Sequence, residues 1–284
     1  MERKDVSNLY KKSEEPRGYS AKYWINDGTD KLVKYNNPAC PDSDVMESLS
    51  SNILKLLNIP VVNVWLGYNR SEEEIKELDL TDNRCAIIES FLTQKGDIVY
   101  SLPQTWSKIE SNNIEKQIRT CFFKVTSMFD RFFGNDEVNK AKMKTDYIRQ
   151  IFGDCIIGNE DRRINNIGVI YNEKSHDYRL APSFDNALAF SAYNIGSDEE
   201  YCYIGNQEFE IKDVLDYLTT HYYEHIEDLI MNFIEIVDSG SIDILLNNYK
   251  DEIESKKLEY ISTSLKNKKE FIQNRITKNK SKIK

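Results

Sequence analysis

Residues 158–186 read GNEDRRINNIGVIYNEKSHDYRLAPSFDN, and this stretch decides how the whole chain is read. Asp161 stands five residues before Asn166, and a second acid, Asp185, follows in Pro182-Ser183-Phe184-Asp185-Asn186. An Asp, an Asn and a distal Asp form the minimum set for phosphoryl transfer from ATP. The first acid orients a hydroxyl nucleophile and can accept its proton. The Asn and the second acid offer hard oxygens to Mg²⁺. Between them, Ile167, Val169 and Tyr171 alternate as one arm of a hairpin. Tyr178 and Leu180 form the other, and a polar turn at 172–177 joins them. The hairpin is expected to bring Asn166 and Asp185 to the same end. The competing reading of the three residues is that they are turn and cap formers.

Working outward, the N-terminal side reads as β-rich. Tyr23-Trp24-Ile25 and Leu32-Val33-Lys34-Tyr35 flank Asn26-Asp27-Gly28-Thr29-Asp30, a strong hairpin signal. Residues 44–58 place Val45, Leu49, Ile53, Leu56 and Leu57 at helical spacing, with Asp42 or Ser43 as the cap. IPVVNVWLGY and RCAIIESFL read as two more strands, separated by an acidic insertion at 70–83. Beyond about residue 103 the pattern turns helical. The apolar residues from Ile114 to Phe133 follow a 3.6 period, and Gly134-Asn135 stops them. A second helix over 137–157 runs into the candidate loop. A poorly patterned stretch follows to about 206, then helices near 211–220, 222–238 and 241–273. The fold class expected is α+β and bilobal, like a protein kinase. A small β-rich N-lobe (17–95) precedes a mostly helical C-lobe (96–284), and residues 1–16 form a loose leader.

Asp-Arg-x-x-x-Asn, a short hairpin and Ala-Pro-x-x-Asp together resemble the catalytic core of the HipA-like serine/threonine kinases, whose fold is similar to that of the phosphatidylinositol kinases. The resemblance covers roughly residues 17–260. It implies that Asp161 is the catalytic base and that Asn166 and Asp185 are the metal ligands. In the N-lobe, Lys34 on a strand and Glu47 in ESLSSNILKLLNIP resemble the family's lysine–glutamate pair, in which the helix acid orients the lysine toward the ATP phosphates. Gly18-Tyr19-Ser20-Ala21-Lys22 resembles the family's G-x-x-x-K phosphate loop, so Gly18, Ser20 and Lys22 join the candidate nucleotide site. Glu89, Ser90 and Phe91 match the strip joining the lobes, where backbone groups would bind adenine. The implied cofactors are ATP and Mg²⁺.

The chain departs from the family pattern at three places. Arg163 stands where the family often has His, and Asn165 where it often has Lys. Glu15 and Pro16 occupy the stretch in which some members carry a regulatory serine. At this length the chain looks more like the compact, stand-alone CtkA-like form than like full-length HipA toxins with their extra N-terminal subdomain. The implied partner is a protein with a Ser or Thr acceptor, alongside an antitoxin-like or regulatory protein. The alternatives are a lipid or small-molecule kinase of phosphatidylinositol-kinase-like fold, and a catalytically weak nucleotide-binding regulatory module.

Composition bounds these readings. The chain has 284 residues, is 40% hydrophobic and carries a net charge of −9, so a sizeable core is possible and non-specific binding to nucleic acid is disfavoured. Its five cysteines form no C-x-x-C pair, which fits reduced, buried thiols. No run approaches the roughly 18 apolar residues of a membrane span. The expected location is the cytoplasm, with signal-less secretion left open. His221-Tyr222-Tyr223-Glu224-His225 spells H-x-x-E-H, a zinc-peptidase pattern on a helix. It lacks an evident third ligand, and tightly bound zinc is not expected. The basic tail from about 266 reads as a frayed, solvated terminus.

Overall fold

A computed structural model describes residues 2–7, 9, 11, 21–36, 39–78, 80, 82–102, 106–133, 136–197 and 199–282. Its N-lobe is a five-stranded sheet made of β1 (Lys4–Asp5), β2 (Lys22–Asn26), β3 (Asp30–Tyr35), β4 (Val64–Tyr68) and β5 (Arg84–Glu89), in the order β1-β4-β5-β3-β2. β2 and β3 form the expected hairpin. Gly28 at φ +108° supplies the turn geometry that a side chain would resist. Alternation along these strands sorts the side chains by face. Tyr23, Ile25, Val33, Tyr35, Cys85 and Ile87 build one buried cluster. Lys34, one residue out of phase with Val33 and Tyr35, must therefore face the other way, opposite Lys22 on one neighbour and Ala86 on the other.

Helix α1 (Ser43–Leu56) packs on that second face, with every residue from Ser43 to Ser51 buried. Asp42 occupies its N-cap position, but the capping acceptor is Asn36, whose Oδ1 takes the Asp44 N–H at 2.8 Å. The short α2 (Glu72–Glu77) fills the acidic insertion. Residues expected to be a loose leader differ from that reading. β1 pairs in parallel with β4, Val6 is buried, and Arg3 bonds Asp44, Glu252 and the Gly67 carbonyl.

The chain then crosses to the C-lobe through β6 (Asp97–Ser101), a strand with no clear signature in the sequence. α3 (Ile114–Phe133) and α4 (Glu137–Ile157) fall where the periodicity placed them. Gly158, at φ +60°, ends α4 and turns the chain into the candidate loop. β7 (Gly168–Asn172) and β8 (Tyr178–Leu180) form the expected hairpin, and β6 completes their sheet in the order β6-β7-β8.

A second hairpin follows, β9 (Tyr201–Ile204) with β10 (Gln207–Glu210), inside the stretch that read as unpatterned. α5 (Ile211–His221) and α6 (Tyr223–Asp238) come next. The single helix expected over 241–273 is two: α7 (Ser241–Asn247) and α8 (Ser255–Lys282). α8 also carries most of the basic tail expected to fray. Ile272 is fully buried, Arg275 pairs with Asp216 at 3.0 Å, and buried Lys268 donates to the Ile156 carbonyl and to Glu200, each at 3.0 Å. Cys85, Cys121, Cys155 and Cys202 are buried free thiols, and Cys40 is partly exposed. No described helix is long and apolar enough to cross a membrane.

Candidate active site

Three separate elements deliver charged groups to one point between the lobes. Lys34 comes from β3, Glu47 from α1, and Asp185 from the turn after β8. The Lys34 ammonium lies 3.5 Å from Glu47 Oε2 and contacts Asp185 Oδ1 closely. Glu47 Oε1 accepts the Asn186 N–H at 2.8 Å, which ties the helix to the Asp185 turn through the backbone as well. Burial lowers the pKa of Lys34, but the charges of Glu47 and Asp185 outweigh it and hold that pKa above the ordinary lysine value. Lys22, across the strand pair, moves the other way. Burial and the neighbouring Lys34 charge lower its pKa, and Asp185 opposes them. Asp185 itself sits at φ +56°, a left-handed backbone that Asp tolerates better than most residues. Its burial favours the neutral acid, yet Lys34 keeps its pKa below the ordinary carboxylate range.

Asp161 and Asn166 form the opposite wall. The Asn166 amide donates to the Asp161 carbonyl at 2.7 Å and to Asp161 Oδ2 at 3.1 Å. Asn159 Oδ1 accepts the Asp161 N–H at 3.1 Å. These bonds fix the Asp161 backbone from two sides and its carboxylate from one, and turn the Asn166 Oδ1 away from Asp161. Burial raises the pKa of Asp161, and the Asp185 charge raises it further, so the two acids sit close enough to sense each other. Arg163 approaches Asp161 at 3.7 Å and lies over the Tyr203 ring.

Arg162 holds both walls together, a role the sequence did not reveal. It is fully buried and forms an ion pair with fully buried Asp154 at 2.9 Å. Its remaining N–H groups reach the Asn166 carbonyl at 2.9 Å, the Phe184 carbonyl at 2.8 Å and Asn186 Oδ1 at 2.7 Å. One guanidinium thus spans the loop of Asp161 and the turn of Asp185. Its place in the sequence beside Asp161 was a hint, but Asp154 and Asn186 become its partners only in three dimensions.

The strip Glu89-Ser90-Phe91 leaves β5 as expected. Phe91 stacks on Phe184 at 5.2 Å, next to the site, and its N–H has no hydrogen-bond partner among the described residues. The strip also borders a cavity of about 500 Å³ shared with Pro60, Gln150 and Ala181, which none of Lys34, Glu47, Asp161, Asn166 and Asp185 lines. A separate cavity of about 460 Å³ adjoins the Asp161 loop between Arg163, Asn165, Tyr203 and Asn206. Gly18 and Ser20 lie outside the described residues.

The H-x-x-E-H segment is split. His221 ends α5 and approaches Glu115 at 3.1 Å, while His225 belongs to α6 and contacts Thr145 at 3.0 Å. Among the described residues no group of three or more His, Cys, Asp or Glu side chains is placed to hold a metal ion.

No family model matches the chain, and no curated protein does either. Solved structures do. The Helicobacter pylori proinflammatory kinase CtkA superimposes over 99% of this chain and 98% of its own, with a TM-score of 0.68 at 14% identity. The fold is that of the HipA-like kinases. A Shewanella oneidensis HipA, solved with HipB and operator DNA, matches 96% of this chain and 69% of its own, with a TM-score of 0.56 at 12% identity.

Proposed function

We propose that this protein is an ATP-dependent phosphotransferase, and within that class a serine/threonine protein kinase. The observation that carries the reading is the meeting of Lys34, Glu47 and Asp185 opposite an Asp161–Asn166 pair, on a HipA-like fold. Lys34 would bind the ATP phosphates as a point charge oriented by Glu47. The Phe91 N–H, without a partner among the described residues, would bind adenine. Asp161, held by Asn166 and Asn159, would orient the acceptor hydroxyl and take its proton. The cavity beside Arg163 and Tyr203 has room for that acceptor.

Asn166 and Asp185 would hold Mg²⁺. The donors fit: one carboxylate and one amide oxygen are hard ligands, and Mg²⁺ commonly takes one or two carboxylates with the rest of its shell from phosphates and water. The mutual repulsion of Asp161 and Asp185 also marks a place where a cation is favoured. Bound there, the ion would neutralise charge developing on the transferred phosphoryl group.

The regulatory-module reading needs a missing group, and here Asp161 would serve as base, Lys34 as cation, and Asn166 and Asp185 as metal donors. The HipA of similar fold was solved with a partner protein, which supports a regulatory protein partner here. The acidic net charge disfavours direct DNA contact by this chain. The test is transfer of radiolabelled phosphate from ATP by purified protein, to itself, to protein acceptors and to lipid vesicles, with mass spectrometry of the labelled group. Label on Ser or Thr is expected. Label in the lipid fraction would move the acceptor class, and no transfer with no Mg²⁺-dependent ATP binding would overturn the reading.

A further inference from the structure

Helix α1 carries Glu47, and something other than Lys34 fixes where that helix lies. Asp44, Ser48, Asn52 and Leu56 recur every four residues and so share one face of α1. Each is bonded outside the helix. Arg3 joins Asp44 to Glu252, at 2.7 Å on either side. The Tyr249 hydroxyl accepts from Asn52 Nδ2 at 2.8 Å and shares a hydrogen bond with Ser48 Oγ at 2.9 Å. Asn232 donates to the Leu56 carbonyl at 2.8 Å. At the head of the helix Lys257 pairs with Asp42 at 2.5 Å. Tyr249, Glu252 and Lys257 belong to the segment around the α7–α8 break. Tyr249 is fully buried there, and its carbonyl accepts the Glu252 and Ile253 N–H groups at 2.9 and 3.0 Å.

On the phosphotransferase reading, we infer that Tyr249, at the centre of this seam, is a positioning residue that locks α1 to the C-lobe and so keeps Glu47 docked on Lys34 and on the Asn186 N–H. Tyr249 touches no reacting group. It acts through Ser48, the neighbour of Glu47 in the chain. In this arrangement the lysine–glutamate pair is built into the folded state rather than assembled by a helix swinging in.

Tyr249→Phe tests this, because it keeps the ring and its packing and removes only the hydroxyl. Losing these hydrogen bonds should speed amide exchange at Asn186, the reporter of Glu47 docking, about tenfold. It should lower kcat for phosphate transfer by a similar factor. Unchanged exchange at Asn186 together with unchanged kcat would overturn the inference. Adding Ser48→Ala removes one of the two stranded partners and should restore part of the thermal stability while leaving kcat low. Recovery of kcat along with stability would show that Tyr249 serves packing alone and would also overturn it. Wild-type protein that transfers no phosphate would sink the phosphotransferase reading, yet faster Asn186 exchange in the variant would still establish the lock.

Discussion

The loop at 158–166 and the turn at 183–186 meet over the same guanidinium and each presents one aspartate, yet the two acids are driven in opposite directions. Asp161 is buried beside a neighbouring acid, and its pKa rises although the Asn166 amide opposes the shift. Asp185 faces Lys34, and its pKa falls. Identical side chains beside the same anchor would thereby suit the different tasks proposed for them. A proton acceptor benefits from a raised pKa, because Brønsted efficiency improves as the pKa nears the working pH. A metal ligand benefits from staying ionised. The partners, and not the residue type, set the division.

The largest expected effects test that division directly. Asp161→Asn should lower phosphate transfer by about 10²–10⁴ and leave Mg²⁺-dependent ATP binding nearly intact. Asp185→Asn keeps the shape and tolerates the left-handed backbone, and should lower transfer on a similar scale. Its ATP affinity, however, should become less dependent on Mg²⁺. Calorimetric titration with and without Mg²⁺ separates the two, and identical profiles would erase the distinction.

Arg162→Met asks whether the two segments are one unit. It leaves Asp154 buried without its ion pair, and such losses cost about 3–5 kcal/mol. Denaturant unfolding should show that loss. Hydrogen exchange should rise in both segments together, and a rise confined to one would mean that they are held independently.

The smallest effect is read in its sign. Asp161 is harder to ionise folded than unfolded, so its ionisation opposes folding. That cost is absent below the ordinary carboxylate pKa, grows as pH rises toward the raised folded value, and is complete above it. Asp185 is the reverse: its stabilisation is complete above the ordinary pKa and is lost as pH falls through the depressed one. At neutral pH, urea midpoints should therefore place Asp161→Asn above wild type and Asp185→Asn below it. Both differences should shrink in acid. Shifts of the same sign would break the comparison.

Much of this arrangement was legible in the chain. α3 and α4 announced themselves because long amphipathic helices repeat one pattern over many turns. The β7–β8 hairpin and the Lys34–Glu47 contact followed from alternation and order. β6 left no such trace: most of it is exposed, and only its pairing with β7 makes it a strand. β9–β10 did carry a signal, since Gly205-Asn206 sits between alternating runs in the manner of a two-residue hairpin turn. The break between α7 and α8 was hidden because Ile253, Leu258, Ile261 and Leu265 keep an apolar rhythm close to helical across it. Arg162 could not be found by pattern at all, because its partners are set by tertiary contacts.

The reach of Lys268 back to the end of α4 bears on how the protein is made. Chains are synthesised and begin to fold from the N-terminus. The Ile156 carbonyl, two residues before the turn that opens the Asp161 loop, receives its buried cation from α8, more than a hundred residues later in the chain. Until α8 emerges from the ribosome, that loop has strands and helices around it but no closing bolt. A nascent chain would therefore complete the candidate site only once α8 has been translated, and a product cut short before Lys268 would carry Asp161 and Asp185 without that support.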